Sequence, residues 1–201
     1  MEQVMVVDKD IVLSRFGTNS ERLIRTDEQT FLQVVQSHCT FVARADAEND
    51  PSYKQIISYC AIVSGDRIFM TRRTKKQTET RLHDRLSVGI GGHVASVDEG
   101  ADMVLRGLRR ELEEEVSIRG DYTMRYLGVI NDDSTEVGRV HTGICYLVQV
   151  AEGDCEVREK EKMVGEWVAI ADLPLYMSGF EEWSKIVVNT LCQDPAPADR
   201  A

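Results

Sequence analysis

The apolar positions of this chain change period several times, and each change marks an element. Short apolar runs at residues 4–7 and 11–16 predict two strands, and residues 27–36 predict a short helix capped by Thr26 or Asp27. Residues 44–51 are polar and turn-rich, which predicts a linker. From residue 55 the pattern becomes extended: apolar runs at 56–63 and 67–71 flank Ser64-Gly65-Asp66 and predict a hairpin that leads into Arg72-Arg73. Residues 86–90 predict another strand, and residues 121–130 and 139–150 predict two more around a polar loop at 131–138. The run Trp167-Val168-Ala169-Ile170 predicts a last strand, closed by Asp172-Leu173-Pro174. Residues 180–191 return to the helical period, with Trp183, Ile186, Val187 and Leu191 on one side, and residues 194–201 read as a frayed tail.

Between these strands lies the most informative helix. Ala101, Val104, Leu105, Leu108, Leu112 and Val116 recur at the helical period and predict a buried stripe. Positions three and four apart share a helix face, so Glu111, Glu114 and Glu115 converge on another side. Carboxylates held this closely repel one another unless a cation sits among them, and hard oxygen donors suit Mg2+ or Mn2+. A solvated acidic face is the alternative for such a run.

Composition narrows the classes. With 201 residues, of which 42% are hydrophobic, the chain is long enough for one well-buried domain and an extension. The boundaries expected are an N-terminal extension at 1–52, a domain at 53–192 and a tail at 193–201. No apolar run reaches membrane-spanning length and the first residues form no signal peptide, so a cytoplasmic protein with no membrane partner is expected. A net charge of −10 opposes nonspecific nucleic-acid binding. Cys39, Cys60, Cys145, Cys155 and Cys192 are scattered, without C-x-x-C spacing, and read as reduced thiols.

The run Arg110-Glu111-Leu112-Glu113-Glu114-Glu115-Val116-Ser117-Ile118 resembles the second half of the Nudix box, R-E-U-x-E-E-x-G-U, where U is bulky and aliphatic, and Gly91-Gly92 resembles its opening. Two departures stand out. The stretch from Gly92 to Arg110 is four residues longer than in the box, and Ser117 stands at the final glycine, which implies a helix exit without positive φ. Counting back from Arg110 puts Asp102 at the position of the box's first glutamate, with Glu99 as the rival.

The resemblance implies an α/β fold: the Nudix α/β/α sandwich, with a mixed sheet and a catalytic loop-helix-loop. The N-terminal extension is expected to add strands to the sheet, cover an edge or build a homodimer interface. It implies Mg2+ or Mn2+ held by Glu111, Glu114, Glu115 and the backbone carbonyl of Gly91, with Arg110 orienting the acids through an ion pair to Asp102 or Glu99. The general base is a box glutamate or a loop glutamate ahead of Gly165-Glu166-Trp167; Glu161 is the candidate, with Glu156 and Glu159 as competitors. Arg72 and Arg73, at the head of a basic stretch that continues through Lys75, Lys76, Arg81 and Arg85, either face solvent or contact substrate phosphate. His93 is expected in a loop, His141 in packing, and Glu136 is an extra acid by proximity alone.

The activity implied is metal-dependent hydrolysis of a phosphoanhydride in a nucleoside diphosphate linked to another moiety, a small phosphorylated substrate. A catalytically silent nucleotide-binding module of the same fold is the alternative. A diphosphate isomerase ranks last, since its cysteine and glutamate pair has no counterpart here. No signature for NADH, coenzyme A, diadenosine polyphosphate or ADP-ribose hydrolysis is present.

Overall fold

The computed structural model describes residues 2–17, 22–73, 85–98, 100–151, 155–158, 160–161 and 163–193. Lys75, Lys76, Arg81, Glu99, Glu159 and the tail from residue 194 lie outside the described residues. The chain forms two compact units: Met1–Tyr59, Gly91–Glu111 and Tyr126–Cys145 make the first, and Cys60–Ile90, Leu112–Arg125 and Tyr146–Ala201 the second.

The first unit starts with β1 (Gln3–Asp8), whose Val4, Met5, Val6 and Val7 are all buried. The strand expected at 11–16 is instead a helix, α1 (Lys9–Phe16). Its ends explain the difference. Asp8 accepts a hydrogen bond from the Asp10 N–H at 2.8 Å, and Gly17, at φ 66°, donates its N–H to the Leu13 carbonyl. Caps at both ends outweigh the local apolar run. After β2 (Leu23–Ile24), the predicted helix is present as α2 (Glu28–His38), with Asp27 as its cap, accepting from the Thr30 N–H at 2.8 Å. Phe16 and Phe31 join the two helices with ring centroids 5.1 Å apart.

β3 (Thr40–Ala43) pairs antiparallel with β1, placing Val42 opposite Val4. The segment expected as a linker contains a helical turn, α3 (Arg44–Ala47), whose Ala47 is fully buried against Val4 and Val6. β4 (Tyr53–Ser64) begins in the first unit, where Val6 lies opposite Gln55, and ends in the second.

In the second unit the expected hairpin forms: β5 (Arg67–Arg73) folds back on β4, with Val63 opposite Ile68. The strand predicted at 86–90 is divided into β6 (Leu86–Ser87), which pairs with β5, and β7 (Gly89–His93), which pairs with β4. A short 3-10 turn at Ser96–Asp98 leads to α4 (Met103–Glu115), which gives way directly to β8 (Val116–Ile118). The helix therefore ends before Val116, and Ser117 is a strand residue.

β9 (Thr123–Ile130), α5 (Glu136–Val140) and β10 (His141–Gln149) follow. In the first unit the strand order is β4, β10, β9, β2, with Leu23 opposite Ile130 and the Thr142 hydroxyl donating to the Ile130 carbonyl at 3.0 Å. β11 (Cys155–Val157) pairs with β8, and β12 (Met163–Ala169) forms a seven-residue antiparallel ladder with β5. Gly165 is required in that ladder, since a Cβ there would lie 2.3 Å from the Phe69 ring, and Phe69 packs on Trp167 at 5.3 Å. A 3-10 segment, Ile170–Tyr176, and α6 (Glu182–Gln193) complete the unit; Trp183, Ile186, Val187 and Leu191 of α6 are buried as predicted. The architecture is α/β with a mixed sheet.

Candidate active site

The site grows from the junction of β7 with the turn that follows it. Gly91 lies so close to β4 that a Cβ on it would sit 2.0 Å from the Ser58 carbonyl oxygen, so only glycine permits this approach. A Cβ on Gly92 would meet the carboxylate of Glu111 at 2.4 Å. Gly91 therefore brings the chain against β4, and Gly92 sets main chain directly against the first acid of α4.

Arg110 fixes that acid. Its Nη1 donates to Glu111 Oε1 at 2.6 Å and its Nη2 to the His93 carbonyl at 2.9 Å. The fork also grips Asp98: Nε donates to Oδ1 and Nη2 to Oδ2, each at 3.0 Å. Asp98 is 3% exposed and accepts a further bond from the Ala95 N–H at 2.8 Å. These hydrogen bonds with Asp98, reinforced by the charge of Glu111, raise the Arg110 pKa against the opposing effect of burial. The partner of Arg110 is thus Asp98 and not Asp102. Asp102 is exposed, with φ 58°, and its carbonyl starts α4 by accepting the Arg106 N–H at 3.0 Å. The physical reason lies in the longer loop: the extra residues sit between the buried acid and the helix, so counting along the chain selects the wrong position. Gly107 admits the contact, since a Cβ there would lie 3.1 Å from Asp98 Oδ2.

The buried stripe of α4 holds for Val104, Leu108 and Leu112, while Leu105 is partly buried. Ala101 departs from expectation: it is exposed and precedes the helix, because the chain turns at Asp102.

In the second unit, Glu114 is exposed and Glu115 partly buried on the last turn of α4. The end of this helix is tied to the loop carrying Glu161. The Arg158 N–H donates to the Glu115 carbonyl and its Nε to the Val116 carbonyl, both at 2.9 Å, while Glu156 lies opposite Ser117 in the β8–β11 pair. Glu161 is exposed and follows Arg158 by three residues. Glu156 is engaged elsewhere: Lys160 first, then Arg119, holds its carboxyl below the ordinary value. Arg72 is exposed on β5 opposite Val164, and Arg73 occupies the register position opposite Met163. Glu136 is exposed at the start of α5.

Of the two histidines, His141 is buried as expected, and His93 departs from expectation. His93 closes β7 instead of lying in a loop, and its Nε2 lies 3.2 Å from Nε2 of the buried His141. Burial, with the positive charges of His141, Arg44 and Arg110, pushes the His93 pKa down to about 3, and burial lowers that of His141 as well. Lys54, fully buried, gave no signal in the sequence. It donates to Asp133, to the Gly138 carbonyl at 2.7 Å and to the His141 carbonyl at 3.2 Å, and Lys9 reaches the same Asp133 at 2.8 Å. A polar residue within a β pattern reads as surface, and its partners in the loop, α5 and the start of β10 come from segments distant in the chain. The cysteines form no disulfide; Cys60, Cys145 and Cys155 are buried, and burial pushes the Cys145 and Cys155 thiols up to about 12.

Among the described residues no helix is long and apolar enough to cross a membrane. Comparison with known proteins bears on the family. The family profile described as NUDIX domain matches residues 54–187. Protein YmaB of Bacillus subtilis (strain 168) is 33% identical, over 94% of this chain and 97% of its own length. The crystal structure of Tm1382, described as a candidate Nudix hydrolase, superposes with a TM-score of 0.81 at 34% identity, covering 96% of this chain and 99% of that one. The Nudix domain of Shewanella oneidensis NrtR, solved with ADP ribose, shares the fold at 12% identity and TM-score 0.54, over 76% of this chain and 99% of that one. With the profile spanning most of its length and a relative 33% identical over 94% of it, the chain belongs to the NUDIX family.

Proposed function

We propose that this protein is a Mg2+- or Mn2+-dependent hydrolase that cleaves a phosphoanhydride in a nucleoside diphosphate linked to another moiety. The observation that carries this reading is the seating of Gly92 against the Glu111 carboxylate, beside Gly91 packed on β4, with Arg110 holding Glu111 and anchored on buried Asp98. The donor set fits a hard divalent cation: carboxylates from Glu111, Glu114 and Glu115 and the carbonyl of Gly91, all oxygen. Such an ion, when bound, neutralises diphosphate oxygens and lowers the pKa of a water molecule. The protein's own groups supply the rest. Arg110 holds Glu111 in one orientation, so the acid is preorganised before substrate arrives. Glu161, on the loop tied by Arg158 to the end of α4, or a box glutamate takes the proton of the attacking water. Arg72, exposed on β5, is available to pair with substrate phosphate. The ADP ribose bound by NrtR is a compound of the proposed substrate class.

Glu114→Gln and Glu115→Gln are expected to lower Mg2+-dependent turnover of a nucleotide-sugar and dinucleotide panel by several orders of magnitude, each tenfold corresponding to about 1.4 kcal/mol of barrier, with unchanged thermal unfolding. Parent-like turnover in both variants overturns the assignment. Metal binding without turnover of any panel member assigns the chain to the silent nucleotide-binding class.

A further inference from the structure

We propose that Glu48, His93 and His141 form a second cation site, for a zinc-like divalent transition metal, chemically separate from the acidic face of α4. One ligand atom from each of these residues lies within 4.8 Å of the others. Imidazole nitrogens favour zinc and its neighbours over magnesium, so the cluster and the carboxylates of α4 select different ions. Two histidines with one carboxylate leave a fourth tetrahedral position open to water, as in many zinc centres.

The spacing is the right one. Two ligands each about 2.05 Å from a tetrahedral zinc stand roughly 3.3 Å apart, and the two Nε2 atoms are 3.2 Å apart. Their rings meet edge to face, centroids 5.2 Å apart at 62°, so neither stacks over the gap between the nitrogens. His141 is also oriented from behind. Its Nδ1–H donates to the Val137 carbonyl at 2.6 Å, which leaves the Nε2 lone pair directed toward His93. Without a metal, His93 Nε2–H donates to that lone pair. On metal binding the proton moves from Nε2 to Nδ1 of His93, both rings stay neutral, and no net proton is released.

Glu48 completes the set from the segment between α3 and β4. It is partly buried, and its Oε1 lies 3.7 Å from Arg44 Nε, beyond hydrogen-bonding distance. Arg44 retains Glu2, at 3.0 Å, as its main partner, so a metal on Glu48 costs it little. An ion here would clip three distant segments together: the one before β4, the end of β7 and the start of β10. His93 is the shared element, since its carbonyl already accepts from Arg110. Occupancy would therefore stiffen the strand end that supports Glu111. The proposal rests on these three side chains and not on the hydrolytic reading.

The test uses the metal-stripped full-length chain, saturated with Mg2+ so that hard sites are filled, then titrated with Zn2+ and separately with Co2+. The expected result is one tightly held Zn2+ per chain after gel filtration, a raised unfolding temperature and, with Co2+, the intense visible absorption of a tetrahedral centre. Glu48→Gln, a change at a partly exposed side chain, should weaken Zn2+ binding about tenfold or more, and His93→Asn with His141→Asn should remove it. The Glu114→Gln, Glu115→Gln double variant should keep it. Failure to retain zinc overturns the proposal, as does equal retention by Glu48→Gln and the parent, or loss of zinc in the α4 double variant.

Discussion

Arg110 and Lys54 each meet a carboxylate in the first unit, but the geometry differs. Arg110 engages Asp98 with two nitrogens and also donates to Glu111 and the His93 carbonyl, so a single planar group fixes the direction of a helix, an acid and a strand end. Lys54 is a point charge. It sits fully buried among Asp133, the Gly138 carbonyl and the His141 carbonyl, and closes the loop before β10 over β4 without reaching any acid of the box. A fork transmits orientation, whereas a point charge only neutralises and fills. The first clasp should therefore govern chemistry and the second stability.

Of the two clasps, the fork should give the larger effect when broken. Asp98→Ala leaves Arg110 and the Ala95 N–H without their acceptor, with an expected loss of about 3 kcal/mol of stability and a fall of roughly 10- to 100-fold in metal affinity or turnover. Arg110→Lys, which keeps the charge but not the fork, should reproduce most of the kinetic loss with less destabilisation; chemical denaturation beside kcat and KM measurements checks both. A parent-like Arg110→Lys would remove the distinction drawn between fork and point charge.

The Lys54 clasp should respond differently. Asp133→Ala is expected to cost about 2 kcal/mol, because Lys54 keeps its two carbonyl acceptors, and to leave kcat near that of the parent. A smaller effect appears in acid. Burial by itself would raise the Asp133 carboxyl, yet its hydrogen bonds from Lys54 and Lys9 hold it below the ordinary value of 3.8. Its contribution is accordingly complete above that value and is lost as pH falls through the lower folded-state value. Asp133→Asn should flatten this part of the acid dependence of thermal unfolding; an unchanged acid slope would mean that the carboxylate carries none of it.

The sequence by itself determined the helix that bears the acids, the hairpin of β4 and β5, and the closing helix α6, because each is written in a local period of apolar residues. The resemblance of the sequence to the box singled out Gly91, Arg110 and Glu111, and the structure packs Gly91 against Ser58 and joins Arg110 to Glu111. Apolar period alone misplaced α1, where caps at Asp8 and Gly17 decided the outcome. What only the tertiary structure decided are the pairings between residues far apart in the chain: Asp98 as the acid under Arg110, Asp133 with Lys54, and Glu48 beside His93 and His141. No local pattern encodes these, since burial and charge pairing depend on which segments the fold stacks together, and a loop four residues longer than the box is enough to move the partner of Arg110 away from the counted position.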